Sequence, residues 1–151
     1  MFSLYLVLKF IHILSAITAV GANITYGVWN ARSQADPAHI GFALKGIKFL
    51  DDRIANPAYG VLLLTGLLMV IGHWSITSLW IILALILFVI LAVLAVAVYS
   101  PLLRQLIKVV DGGDTSSPEF SSLIRRNRML GAAFGGIVVL IVVLMVFKPT
   151  L

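Results

Sequence analysis

Between residues 4 and 30 the chain reads LYLVLKFIHILSAITAVGANITYGVWN, longer than the roughly 20 apolar residues a helix needs to cross a bilayer. Its few polar side chains are not scattered. At about 100° per residue, Lys9, His12, Asn23, Tyr26 and Asn30 share one arc of roughly a third of the circumference, with Ala19 among them. Leu6, Ile13, Leu14, Ile17 and Val28 lie opposite. Polar groups set against lipid tails are expensive, so this seam is expected to face other helices or a ligand.

The same pattern recurs after the polar turn ARSQADPAHI. Asp36-Pro37 has the form of an N-cap followed by a proline at the first helical position. The helix it opens is amphipathic through GFALKGIKFLDDRI and becomes a span at about 55–73, with a kink expected at Pro57. Ignoring that kink, Lys45, Lys48, Asp52, Asn56, Tyr59, Gly66 and His73 fall within an arc of about 100°. Two helices that each carry a polar seam are expected to turn them toward each other. The short turn GHWSITS leads into a third span, at about 79–100, of almost uniform Ile, Leu, Val and Ala, with Trp80 and Tyr99 at its ends. It reads as a wall with no chemistry of its own. Gly112-Gly113 ends that helix and Ser117-Pro118-Glu119 starts the last one, which spans about 129–147. There GAAFGG places Gly131 with Gly135 and Ala132 with Gly136 at the four-residue spacing that lets membrane helices approach closely.

Composition settles the class. Hydrophobic residues make up 61% of the chain and the mean hydropathy is +1.09, values that leave too little polar surface for a soluble domain. The fold predicted is an all-α, integral membrane, antiparallel four-helix bundle in a single domain. Cysteine is absent, which excludes disulfides, iron–sulfur ligation and thiol redox chemistry. The net charge of +5 is a topology signal rather than a nucleic-acid footprint. Arg32, Lys45, Lys48, Arg53, Arg104, Lys108, Arg125, Arg126 and Arg128 all fall in the first and third connections, and only Lys9 and Lys148 lie at the other end. Both termini are thus expected outside the cytoplasm, with helices 2 and 3–4 extended into it. Residues 1–8 lack a basic run, so the first span reads as a retained anchor.

Counting about 20 residues from the basic anchors brings Lys9, His12, His73 and Lys148 to the outer end. The six acids stay in the cytoplasmic half, leaving a cationic, imidazole-bearing mouth suited to an anionic ligand. Two histidines fall short of a zinc site. Asp111 and Asp114 read as a turn rather than a calcium loop. Two imidazoles at one depth could hold a haem b, with Lys9 or Lys148 on its propionates. The alternative is that His12 packs against Asn or Tyr and that His73 sits in the headgroup region with Trp74. The inner seam of Asn23, Tyr26, Asn30, Lys48, Asp52, Asn56 and Tyr59 reads first as structure, with Lys48–Asp52 paired at i,i+4 and Asn23 bonded to Asn56 across the helices. Its second reading is a small polar cavity reached from the cytoplasm.

Three segments carry a resemblance: LKFIHILSA (8–16), KGIKFLDDRIANPAYG (45–60) and VFKP (146–149). With them the chain resembles a family of bacterial four-helix integral membrane proteins catalogued as a domain of unknown function. More distantly, Lys9-x-x-His12 is similar to the start of HemJ-type and CopD-like membrane proteins. That likeness implies a haem-associated redox bundle in which His12 is an axial ligand. The sequence therefore supports two functions of different class in a bacterial inner membrane: a haem b-binding or redox-linked protein, and a non-catalytic scaffold or accessory subunit. The partners expected are membrane lipids and other membrane subunits or a second copy, with no nucleic acid.

Overall fold

A computed structural model describes residues 3–149. Four helices long and apolar enough to cross a membrane account for nearly all of them: α1 (Leu4–Ala35), α2 (Pro37–His73), α3 (Leu79–Asp111) and α4 (Pro118–Phe147). No strand occurs among the described residues. The helix ends follow local chemistry. The Ser3 hydroxyl accepts from the Leu6 N–H at 3.3 Å and the Ser117 hydroxyl from the Phe120 N–H at 3.1 Å, each filling one of the orphan donors of a first turn. Gly113 takes φ +78°, a left-handed value that a glycine accepts without strain, and its N–H closes on the Val110 carbonyl at 3.0 Å. Asp36 does not cap α2 with its side chain; its carboxylate turns to His39 instead, at 2.7 Å.

The helices form a ring in which α1 packs on α2 and α4, and α3 packs on α4 and on the first half of α2. The dense core lies toward the end that carries the basic residues, called here the basic end. Leu44 and Ile47 of α2 meet Leu103 and Leu106 of α3 there, all four fully buried. Toward the other, terminal end the bundle is thinner. Most large side chains, such as Phe10, Ile17, Ile71 and Val146, face outward, as a helix in lipid allows because its backbone polar groups are satisfied within the helix. Tyr59 of α2 and Phe88 of α3 meet edge to face with centroids 6.1 Å apart. Lys148 lies over Trp74 and Trp80 at 4.4 and 5.6 Å, a cation–π closure of the terminal end.

Two helices carry a π turn, and both turns sit just ahead of a proline. Asp51–Ala55 precedes Asn56-Pro57, and Ala95–Tyr99 precedes Ser100-Pro101. A proline inside a helix has no N–H to give, and its ring collides with the carbonyl four residues back. Widening the preceding turn relieves that collision. The Asn56 N–H bonds to the Asp51 carbonyl and the Ser100 N–H to the Ala95 carbonyl, each five residues back. The kink expected at Pro57 thus takes the form of an inserted residue.

GAAFGG is not a packing face within this chain. Gly131, Ala132, Gly135 and Gly136 are exposed, and a β-carbon added at any of the three glycines would meet nothing within 4 Å. At the basic surface Lys45 pairs with Asp111 at 2.8 Å, both more than half exposed. Lys45→Ala is expected to change the melting stability by no more than about 0.5 kcal/mol, because solvent screens such pairs.

Candidate functional site

The polar faces of α1 and α2 meet along three levels. Nearest the terminal end, His73 stacks on Tyr5 with ring centroids 4.3 Å apart. Further in, His12 Nδ1 lies 3.0 Å from the Thr65 hydroxyl. That hydroxyl has a single proton, and the Val61 carbonyl at 2.7 Å takes it. With the Thr65 proton directed to Val61, Nδ1 is the natural donor to the Thr65 oxygen. Thr65→Val removes the hydroxyl that meets the half-buried His12 ring and is expected to cost about 1 kcal/mol of melting stability; Thr65→Ser, which keeps the hydroxyl, is expected to cost less.

Of the four residues expected at one outer mouth, Lys9, His73 and Lys148 lie at the terminal end around Tyr5 and Trp74, while His12 sits further in against Thr65. Tyr5, the partner of His73, is seven residues from His12 on α1, about 10 Å along the axis. Lys9 is exposed, with Nζ 6.0 Å from the Tyr5 ring, and Lys148 belongs to the tryptophan pair. Two axial imidazoles have to reach one iron from opposite faces of the macrocycle. His12 and His73 are instead stacked in depth along the same helix interface, and His12 is wedged against Gly66, whose added β-carbon would sit 3.0 Å from Cε1. These residues do not fit a haem held by both histidines. Among the described residues no three His, Asp or Glu side chains are close enough to hold a metal ion.

The third level is where all four helices converge. Asn23 and Tyr26 from α1, Asp51, Asn56 and Tyr59 from α2, Tyr99 from α3 and Phe134 from α4 surround a cavity of about 20 Å³, room for roughly one water molecule. Asp51 is only 8% exposed. Its oxygens receive the Tyr26 hydroxyl and the Asn56 amide, each at 3.4 Å, the loose limit of a hydrogen bond. No cation pairs with Asp51 among the described residues; Lys48, one turn away, is taken by Asp52. Asn23 donates to the Tyr59 hydroxyl and to the Ala19 carbonyl, tying the cluster to the α1 backbone. The outcome is a buried carboxylate, three phenols and two amides around a water-sized space, with two long contacts where a carboxylate can take about four.

This cluster differs from the inner seam read from the sequence in ways that trace to the π turn. In a straight helix Asp52 and Tyr59, seven residues apart, point within about 20° of each other. One inserted residue rotates everything beyond it by about 100°, which brings Asp51 into line with Tyr59 and turns Asp52 outward. Asp52 is accordingly exposed and paired with Lys48 on the surface. Asn56 bonds to Asp51 rather than to Asn23. Asn30 leaves the α1–α2 interface altogether, since its Oδ1 accepts from Asn127 of α4 at 3.0 Å. The third helix is more than a wall: Tyr99, buried beside Phe134 at a centroid distance of 5.4 Å, closes the cavity. Asp51, one of the six acids of the cytoplasmic half, is the one that turns into the bundle. The one signal in the sequence that could have found these residues is the spacing shared by Ala55-Asn56-Pro57 and Tyr99-Ser100-Pro101, which marks both π turns.

One family model matches residues 6–149, and its description is "Predicted integral membrane protein (DUF2269)". No curated protein and no solved structure matches the chain.

Proposed function

The chain belongs to that family of integral membrane proteins, and from this premise we propose that its working site is the Asp51 cluster, which takes up one small monovalent cation, a proton or Na⁺. The observation that carries the reading is a buried carboxylate with no ion-pair partner among the described residues, set with phenol and amide groups against a water-sized space whose remaining walls are apolar. An ionised carboxylate enclosed in protein needs a partner, and ionisable groups retained inside membrane bundles mark ion and proton routes. One positive charge balances Asp51, and phenol, amide and carboxylate oxygens are hard ligands suited to such an ion. Asn56 is both exposed and in contact with Asp51, so it offers the way in. By the distribution of basic residues, that entrance is expected to open on the cytoplasmic side.

Melting of the detergent-purified protein tests the proposal. A ligand that binds the folded form raises its melting temperature by mass action. The melting temperature is expected to rise as either the proton or the Na⁺ concentration is raised, with choline as the inert control. A response to protons alone assigns the site to H⁺. A response to Na⁺ that is absent with choline assigns it to Na⁺. The proposal fails if neither cation moves the parent more than it moves Asp51→Asn.

A second reading, a scaffold that packs against another membrane helix, is favoured by the outward GAAFGG face. Gly135→Leu would then disrupt a stoichiometric complex in membranes while leaving the melting of the isolated chain unchanged. Copurification of the Gly135→Leu protein with the same partners would contradict it.

A further inference from the structure

A second recess lies at the basic end, apart from the Asp51 cluster. It has a volume of about 340 Å³ and is formed where α1 ends and α2 begins, by Trp29, Arg32 and Asp36 on one side and His39 and Phe42 on the other. We infer that this recess is a binding site for a zwitterionic phospholipid headgroup bearing a primary amine, phosphoethanolamine, and that it holds one such lipid at the membrane surface.

The charges are arranged for it. Arg32 is exposed and pairs with no carboxylate among the described residues, although Asp36 follows it by one helical turn. A free guanidinium is the side chain best shaped for a phosphodiester, which it can meet with two parallel N–H donors. Asp36 uses one carboxylate oxygen for His39, at 2.7 Å; the other makes no hydrogen bond to a described residue, leaving it for the three N–H donors of a primary ammonium. The recess therefore offers a cation and a carboxylate side by side, the mirror of phosphate and amine in one headgroup. A purely anionic headgroup would meet the Asp36 carboxylate, and a quaternary amine has no N–H to give it.

The aromatic pair supplies the depth. Trp29 and Phe42 meet edge to face at 6.1 Å and remain 37% and 72% exposed. Aromatic side chains with one apolar and one wet side belong at the membrane interface. At the end of α1, beside Arg32, the two rings are positioned to take the glycerol and the first acyl carbons below the headgroup. A soluble zwitterion would have no use for that exposed apolar edge, which is why a lipid is the occupant argued for.

The test is native mass spectrometry of the detergent-purified protein after equilibration with equimolar phosphatidylethanolamine, phosphatidylglycerol and phosphatidylcholine. The parent is expected to retain one phosphatidylethanolamine per chain, on the order of tenfold over phosphatidylcholine, the factor that one lost charge-assisted contact implies. Arg32→Gln and Asp36→Asn are each expected to lower that retention by on the order of tenfold. Both side chains are exposed, and the lipid preference of the parent is informative without any variant. Equal retention of phosphatidylcholine would overturn the amine contact. Phosphatidylglycerol bound at least as well as phosphatidylethanolamine would overturn the zwitterion in favour of a plain anion site. Retention of no lipid would overturn the site itself.

Discussion

Asp51→Asn protein is expected to melt above the parent when both are measured at low proton and low Na⁺ concentration, by about 1–3 kcal/mol of stability. Under those conditions the parent holds an uncompensated carboxylate between four helices. Asparagine keeps the shape of the side chain and an oxygen that can accept from Tyr26 and Asn56, and it removes the charge. The gain should shrink as cation is added, since the loaded parent is also neutral. Asp52→Asn is the control. That carboxylate is exposed and paired with Lys48, so its loss should change stability by no more than about 0.5 kcal/mol and leave any cation response intact. Were Asp51 held instead by a fixed counter-charge, its neutralisation would destabilise the bundle, because breaking a buried pair costs several kcal/mol.

Gly66→Leu is expected to lower melting stability by about 1–2 kcal/mol, with overpacking set against the helix-propensity gain. A β-carbon at position 66 already lies 3.0 Å from His12 Cε1. Gly66→Ala asks the ring to give by a few tenths of an ångström and should be close to neutral, since alanine also favours the helix. A leucine has no room unless the ring leaves, and the ring is held by its bond to Thr65. The double variant Gly66→Leu/His12→Ala should therefore be less unstable than the sum of its single changes. Additive losses, measured by a double-mutant cycle, would mean that the ring does not rest on Gly66.

The four membrane-capable helices were legible because each holds an apolar run between turn residues, and the cap at Ser117-Pro118 and the stop at Gly113 follow from local chemistry. The facing of α1 toward α2 was legible too, since polar residues recur at helical spacing on both. What straight-helix counting could not give was the register across Pro57. A single inserted residue exchanges Asp51 for Asp52, and with that exchange an apparent surface carboxylate becomes the centre of the site. Tyr99 was obscured for a related reason: as the last aromatic of an apolar run it has the pattern of an interface residue, and only the π turn before Pro101 swings it inward. Asn127 lay hidden inside RRNR, a run whose charges read as a membrane anchor. His12 and His73 were expected at one level, but they sit at different levels along α1, because residue counts from basic anchors do not fix the relative register of two helices.

The placement of Asp51 rather than Asp52 inside the bundle is the claim on which the site depends, and the cysteine-free sequence allows it to be read directly. Single cysteines at positions 51 and 52, labelled in native membranes with a small membrane-impermeant maleimide applied from the basic side, report which side chain meets water, since thiol labelling follows exposure. The expected result is rapid labelling at 52 and labelling slower by on the order of tenfold or more at 51. Equal rates, or faster labelling at 51, would contradict it.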